Sequence, residues 1–160
     1  MKVVIQRVSS ACVRVAGERV GACGPGLLVL LGVLAEDGPA QALRLADKVA
    51  EWRCFPEIDP ARPDEIGAGR MAVSVLERGF EVLVVSQVTL CADGRKGRRP
   101  SLDLAADPAL GEALYLRFVE RLRERGLRVS TGRFGALMEV ELVNHGPLTF
   151  HLDEPPQVLT

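Results

Sequence analysis

This sequence has no long apolar run, no paired cysteines, no histidine cluster and no excess of one charge. Its most apolar stretch, Leu27 to Leu34, is far short of the roughly 20 residues a membrane helix needs. Twenty basic side chains against twenty-one acidic ones leave a net charge of −1, which excludes a globally basic nucleic-acid binder but allows local patches. Aromatics are scarce, with five Phe, one Trp and one Tyr, so a base-stacking platform is not expected. The four cysteines, Cys12, Cys23, Cys54 and Cys91, form no C-x-x-C pair, and there are only two histidines. No metal site is expected from that spacing. Met1 to Arg7 lacks the layout of a secretory signal. The cysteines read as small apolar residues of a reduced compartment, so the expected protein is cytoplasmic and not membrane-bound. Phosphate-loop, dinucleotide, nucleophile-elbow and zinc-protease motifs are also missing.

What remains is a 160-residue chain, 48% hydrophobic, of the size of one domain. Val3 to Val8 and Cys12 to Val15 read as strands separated by Ser9-Ser10-Ala11. Leu27 to Leu31 is apolar on both faces, as in a buried central strand. Ala42, Leu45, Ala46, Val49 and Arg53 are spaced for one helix face, with Pro39 in the first turn and Pro56 as the stop. Residues 56–69 form a proline-containing loop. Val73 to Val75 and Val82 to Val85 read as strands. Asp107 caps a second helix whose Leu110, Leu114, Phe118 and Leu122 form an inward stripe, and Gly126 ends it. Leu127 to Thr131 and Met138 to Leu142 alternate as half-buried strands. The expected fold is α/β: one domain over residues 1–152, a mixed sheet or partial barrel with two main helices on it. A loosely held tail is expected over residues 153–160.

Three segments carry candidate chemistry. Ser86-Gln87-Val88-Thr89-Leu90 sets two hydroxyls and an amide at the exit of a buried strand, where a rigid element aims side chains from a loop. The same hydroxyls could instead satisfy local backbone groups. Asn144-His145-Gly146-Pro147-Leu148-Thr149 places Gly-Pro between strands, which by itself reads as a turn. Ser86, His145 and Asp93 could form a nucleophilic triad, but nothing local brings them within hydrogen-bond reach. The loop with Arg95, Lys96, Arg98 and Arg99 concentrates positive charge suited to phosphate, or simply to solvent.

With those residues in view, the chain resembles the D-aminoacyl-tRNA deacylases. Ser86-Gln87-Val88-Thr89-Leu90 is similar to that family's Ser-Gln-Phe-Thr-Leu signature, and Asn144 to Thr149 to its Asn-Asp-Gly-Pro-Val-Thr signature. Ile5 to Val8, Gly26 to Gly32, Arg99-Pro100-Ser101 and Thr131 to Ala136 with Met138 are similar too. The resemblance implies hydrolysis of the ester of D-aminoacyl-tRNA, with glycyl-tRNA mischarged on alanine tRNA as a further candidate substrate. It implies no cofactor, and a homodimer whose sites lie between subunits. Gly146 and Pro147, joined by a cis bond, would enter the partner's pocket and hold the substrate's α-amino group through main-chain carbonyls. Arg7 would hold that loop. Ser86, Gln87 and Thr89 would line the ester site, beside Val88, Phe134 and Met138. Catalysis would rest largely on the 2′-hydroxyl of the terminal ribose. Val88 and His145 depart from the family's Phe and Asp. A non-catalytic RNA-binding module and a serine esterase using Ser86 are the competing readings, and Arg95, Lys96, Arg98 and Arg99 are the expected tRNA contacts.

Overall fold

The computed structural model describes residues 1–95 and 98–155. A six-stranded sheet is built from β1 (Lys2–Val15), β2 (Glu18–Cys23), β3 (Gly26–Gly32), β6 (Glu81–Ser86), β7 (Arg128–Thr131) and β8 (Glu139–Asp153). Short β4 (Arg53–Phe55) and β5 (Val73–Ser74) pair separately. Helices α1 (Pro39–Glu51) and α3 (Pro108–Glu124) cover one face, and α2 (Val75–Arg78) is a single turn.

β1 is the spine. One edge pairs with β3 and then β2, and the other pairs with β8 along nearly its whole length. β3, β6 and β7 run parallel, so residues leaving the ends of β3 and β6 emerge at the same rim. The sheet curls until β2 approaches β7, leaving a nearly closed barrel. A Cβ added at Gly21 would lie 2.2 Å from the carbonyl oxygen of Thr131, so only glycine permits that approach.

The core has two parts because the sheet has two apolar faces. Under the helices lie Ile5, Leu27, Val29, Leu45, Val49, Phe55, Phe118 and Leu122. Inside the curl lie Val8, Val13, Leu28, Leu83 and Val85. This is why Leu27 to Leu31 is apolar at every position. The cap of α3 is as expected: the Asp107 side chain accepts from the Leu110 N–H at 3.0 Å, and Pro108 opens the helix.

Several local expectations are corrected. Ser9-Ser10-Ala11 does not separate two strands; β1 runs through it and takes up the irregularity as register shifts against β8. The first helix stops at Glu51, so Arg53 lies in β4 and Pro56 plays no part in termination. Val75 begins a helical turn, because Ser74 and Glu77 form a reciprocal capping box. Asp153 and Glu154 are not loose. Asp153 ends β8, Glu154 receives the Met1 ammonium on its carbonyl at 2.8 Å, and its carboxylate takes Arg44 at 2.7 Å. The rest of the expected tail beyond residue 155 lies outside the described residues.

The 56–69 loop is organised by a side chain remote in sequence. The buried guanidinium of Arg78 donates to the carbonyls of Pro56, Glu57, Pro63 and Glu65, and stacks over Phe80 at 4.4 Å. Arg78→Met keeps the stem but strands those acceptors. It is expected to lower stability by about 1.5–3 kcal/mol, in the range for hydrogen bonds to charged groups. It should also expose the loop to protease before the rest of the chain. Denaturant melts with limited proteolysis check this, and an unshifted midpoint would refute it.

Candidate active site

A pocket of about 460 Å³ opens at the rim where the parallel strands β3 and β6 end. Open α/β sheets commonly place ligands beyond the carboxyl ends of parallel strands. Ser86 is the last residue of β6, beside Leu31 of β3. Directly after it the chain turns through Gln87 into a 3-10 turn, Val88–Cys91. Ser86, Gln87 and Val88 line one wall, and Phe134 and Met138, from the connection between β7 and β8, line another. Five of the expected site residues, from two distant segments, therefore share one cavity.

Thr89 is not on the wall. Its hydroxyl accepts a short hydrogen bond from the Gln87 side-chain amide, which fixes the direction of that amide. Val88 is half exposed, at 50%, so the position is at the mouth of the pocket and not in its floor.

Residues that the sequence does not mark as site residues complete the cavity. Asp107, Pro108, Gly111 and Tyr115 bring the start of α3 to it, and Leu137 stands at its edge, 92% exposed. Tyr115 packs on Phe134 with ring centres 5.8 Å apart and donates its hydroxyl to the Val84 carbonyl at 2.9 Å. Burial is the main cause that raises its pKa to about 12, so it is a neutral donor here. That carbonyl also accepts from the Gly132 N–H at 3.1 Å, so one oxygen ties α3 and the β7–β8 connection to β6. The only sequence signal for Tyr115 was its i+4 spacing from Gly111, which helical core positions share.

The proposed Ser86, His145 and Asp93 triad is not assembled. No hydrogen bond joins these side chains among the described residues. The Asp93 carboxylate is gripped by Arg95 at 2.7 Å, and hydrogen bonds from Arg95 hold its pKa down to about 2. His145 sits in the β8 loop, its Nδ1 buried without a partner. The described residues contain no group of three or more metal-ligating side chains.

Gly146 and Pro147 do not line this chain's own pocket. Between Asn144, paired with Val8, and Thr149, paired with Gln6, β8 bulges outward opposite Arg7. The Gly146–Pro147 bond is cis, and both residues are exposed. Asn144 staples the bulge: its Oδ1 accepts from the Leu148 N–H at 2.9 Å, and its Nδ2 donates to the Leu148 carbonyl at 3.3 Å and the Thr149 hydroxyl at 3.2 Å. Buried Arg7 donates through Nε to the His145 carbonyl at 3.1 Å and through Nη1 to the Cys54 carbonyl at 2.6 Å. The Asn-x-Gly-Pro-x-Thr pattern thus encodes a braced loop that projects outward.

The basic loop is less uniform than its sequence. Arg95 pairs with Asp93 across the exposed loop, so part of its charge is offset there. Arg98 and Arg99 are exposed, and Lys96 lies outside the described residues. No helix among the described residues is long and apolar enough to cross a membrane.

A nearly closed sheet with an apolar pocket at a parallel-strand rim, lined by an ordered amide and a hydroxyl without a triad, defines a class of small α/β domain. A family model described as D-Tyr-tRNA(Tyr) deacylase matches residues 4–153, and the chain belongs to that family. It is 52% identical over 153 residues to a D-aminoacyl-tRNA deacylase of Syntrophotalea carbinolica, covering 96% of this chain and 97% of the relative. A D-aminoacyl-tRNA deacylase of Symbiobacterium thermophilum is 53% identical over 153 residues, covering 96% and 95%. Among solved structures, a c-Myc DNA unwinding element binding protein superposes with a TM-score of 0.85 at 36% identity, covering 98% of this chain and all of that one. A probable eukaryotic D-amino acid tRNA deacylase superposes at 0.78 with 19% identity over 94% of this chain and 97% of its own, which supports the fold.

Proposed function

We propose that this protein hydrolyses the ester of D-aminoacyl-tRNA, releasing the D-amino acid and free tRNA, as a cytoplasmic homodimer without a cofactor. Family membership over residues 4–153 is the observation that carries this reading. The site supports it in chemical terms. An aminoacyl ester is already activated, so positioning and polarisation suffice and no protein nucleophile is needed. The Gln87 amide, oriented by Thr89, and the Ser86 hydroxyl supply polar groups at the pocket wall. The terminal ribose hydroxyl of the RNA would assist attack.

Chirality would be read by the Gly146–Pro147 loop of the other subunit. The loop is exposed and does not line its own chain's pocket, which supports a role in a second copy's site. Two-fold pairing would use the same surface twice, once as donor and once as acceptor. Main-chain carbonyls suit a protonated α-amino group and ignore the identity of the side chain. An L-substrate held by the same amino group would drive its side chain into backbone, and is rejected by collision. Arg98 and Arg99 would add phosphate contacts that position the RNA without reading the amino acid.

The deciding experiment compares hydrolysis of D- and L-tyrosyl-tRNA by the purified chain, with light scattering on the same sample. Release of D-tyrosine with the L-ester spared is expected, from a particle of twice the 17.3 kDa chain mass. No release refutes the activity, and a stable monomer that still discriminates refutes the shared site.

A further inference from the structure

A second depression, of about 600 Å³, lies between the end of β4 and the segment before β5. Unlike the apolar pocket, it is lined by Arg53, Glu57, Gly69, Arg70 and Met71. Neither Arg53 nor Arg70 makes an ion pair or a side-chain hydrogen bond among the described residues. By contrast, Arg44, Arg95, Arg117, Arg121 and Arg125 all do. Two guanidinium groups left free on one concave wall are suited to an anion with several oxygens, since each presents a planar fork of donors. The acids nearby only partly offset them. Glu57 lies in the depression, and the Glu77 carboxylate, which accepts from the Ser74 N–H at 2.7 Å, stays charged and also faces Arg53, so Arg70 is the less offset of the two.

The wall is held in shape. The Ala72 N–H donates to the Phe55 carbonyl at 2.8 Å, and Arg78 fixes the carbonyls of Pro56 and Glu57 that lead into it. It is also coupled to the Gly146–Pro147 loop. Cys54, next to Arg53, accepts the same Arg7 guanidinium that holds the His145 carbonyl.

We infer that the Arg53 and Arg70 depression is a phosphodiester-binding site, which takes the acceptor strand of the tRNA whose esterified end lies in the partner subunit's pocket. This rests on the shared-site reading above, because the Gly146–Pro147 loop that would reach that pocket is braced by the same arginine as the depression's strand.

The test uses the intact protein with Arg53→Gln and Arg70→Gln together. KM for D-tyrosyl-tRNA is expected to rise about ten-fold or more at 0.15 M salt, with kcat within about two-fold, because phosphate contacts position and do not react. The salt dependence of binding uncharged tRNA should flatten by roughly one to two in log–log slope, the release expected for one or two phosphate contacts. The Arg53→Lys, Arg70→Lys pair should recover most of the affinity, and Glu57→Gln should tighten binding. Unchanged KM and slope overturn the inference, as does a fall in kcat at constant KM, which would make the pair a support for the reacting groups. Inorganic phosphate or ATP bound as tightly as tRNA would assign the depression to a free phosphate ligand and overturn the RNA assignment. If the wild-type chain fails to hydrolyse D-tyrosyl-tRNA at all, the parent reading falls, and binding of uncharged tRNA still decides the role of the two arginines.

Discussion

Ser86→Ala and Thr89→Ala are each expected to slow D-tyrosyl-tRNA hydrolysis by about 10²–10³, the usual result of losing one transition-state hydrogen bond. Loss of a true nucleophile would cost on the order of 10⁶. The structure gives the two substitutions different routes to a similar loss. Ser86 stands on the wall of the pocket, so its hydroxyl is removed from the reacting ester directly. Thr89 acts through Gln87: without its hydroxyl as acceptor, the Gln87 amide is free to rotate away. Gln87→Ala should therefore add little to the loss in Thr89→Ala, since interacting groups are not additive. Neither hydroxyl is hydrogen-bonded to an imidazole or a carboxylate among the described residues. Single-turnover kinetics on the three variants and the double check this. An acyl-enzyme trapped on Ser86 would establish the serine esterase instead.

Gly146→Ala is expected to reduce activity by about 10² or more, within the range of a site displaced by about 1 Å. The fold should survive. Gly146 has φ of +134°, a conformation that L side chains rarely adopt. A Cβ there would lie 2.9 Å from the Leu148 nitrogen, which is backbone and already donates to Asn144. It would also come within 3.3 Å of Arg7 Nη2. Leu148 cannot move without breaking the Asn144 staple, and Arg7 cannot move without releasing the His145 and Cys54 carbonyls. The loop would shift as a unit and carry the Gly146 and Pro147 carbonyls off the position proposed for the substrate's amino group. Because the loop is exposed and outside both core clusters, the fold should survive, at a stability cost of about 1–3 kcal/mol for the strained backbone. Full activity with unchanged D/L preference in Gly146→Ala would show that this loop does not filter the substrate. Unfolding would show that it is structural.

The sequence by itself determined whatever depends on neighbours along the chain. Leu27 to Leu31 had to be buried on both faces, Asp107-Pro108 had to start a helix, and the stripe from Leu110 to Leu122 had to face a core. Residue patterns also carried the family resemblance, and so the ester chemistry. Contacts between segments remote in sequence needed the tertiary structure. Phe134 and Met138 meet Ser86 and Val88 only because β6 and β7 run parallel and end at one rim. Tyr115 looked like any helical core residue, and only the packing of α3 makes it a pocket wall. The proline loop had no legible anchor because Arg78, which holds it, comes after the loop in the chain. Arg7 and the Gly146–Pro147 loop lie at opposite ends of the sequence, and pairing of β1 with β8 brings them into contact. Periodicity reports which face of an element is buried, whereas only closure of the sheet decides which buried faces meet.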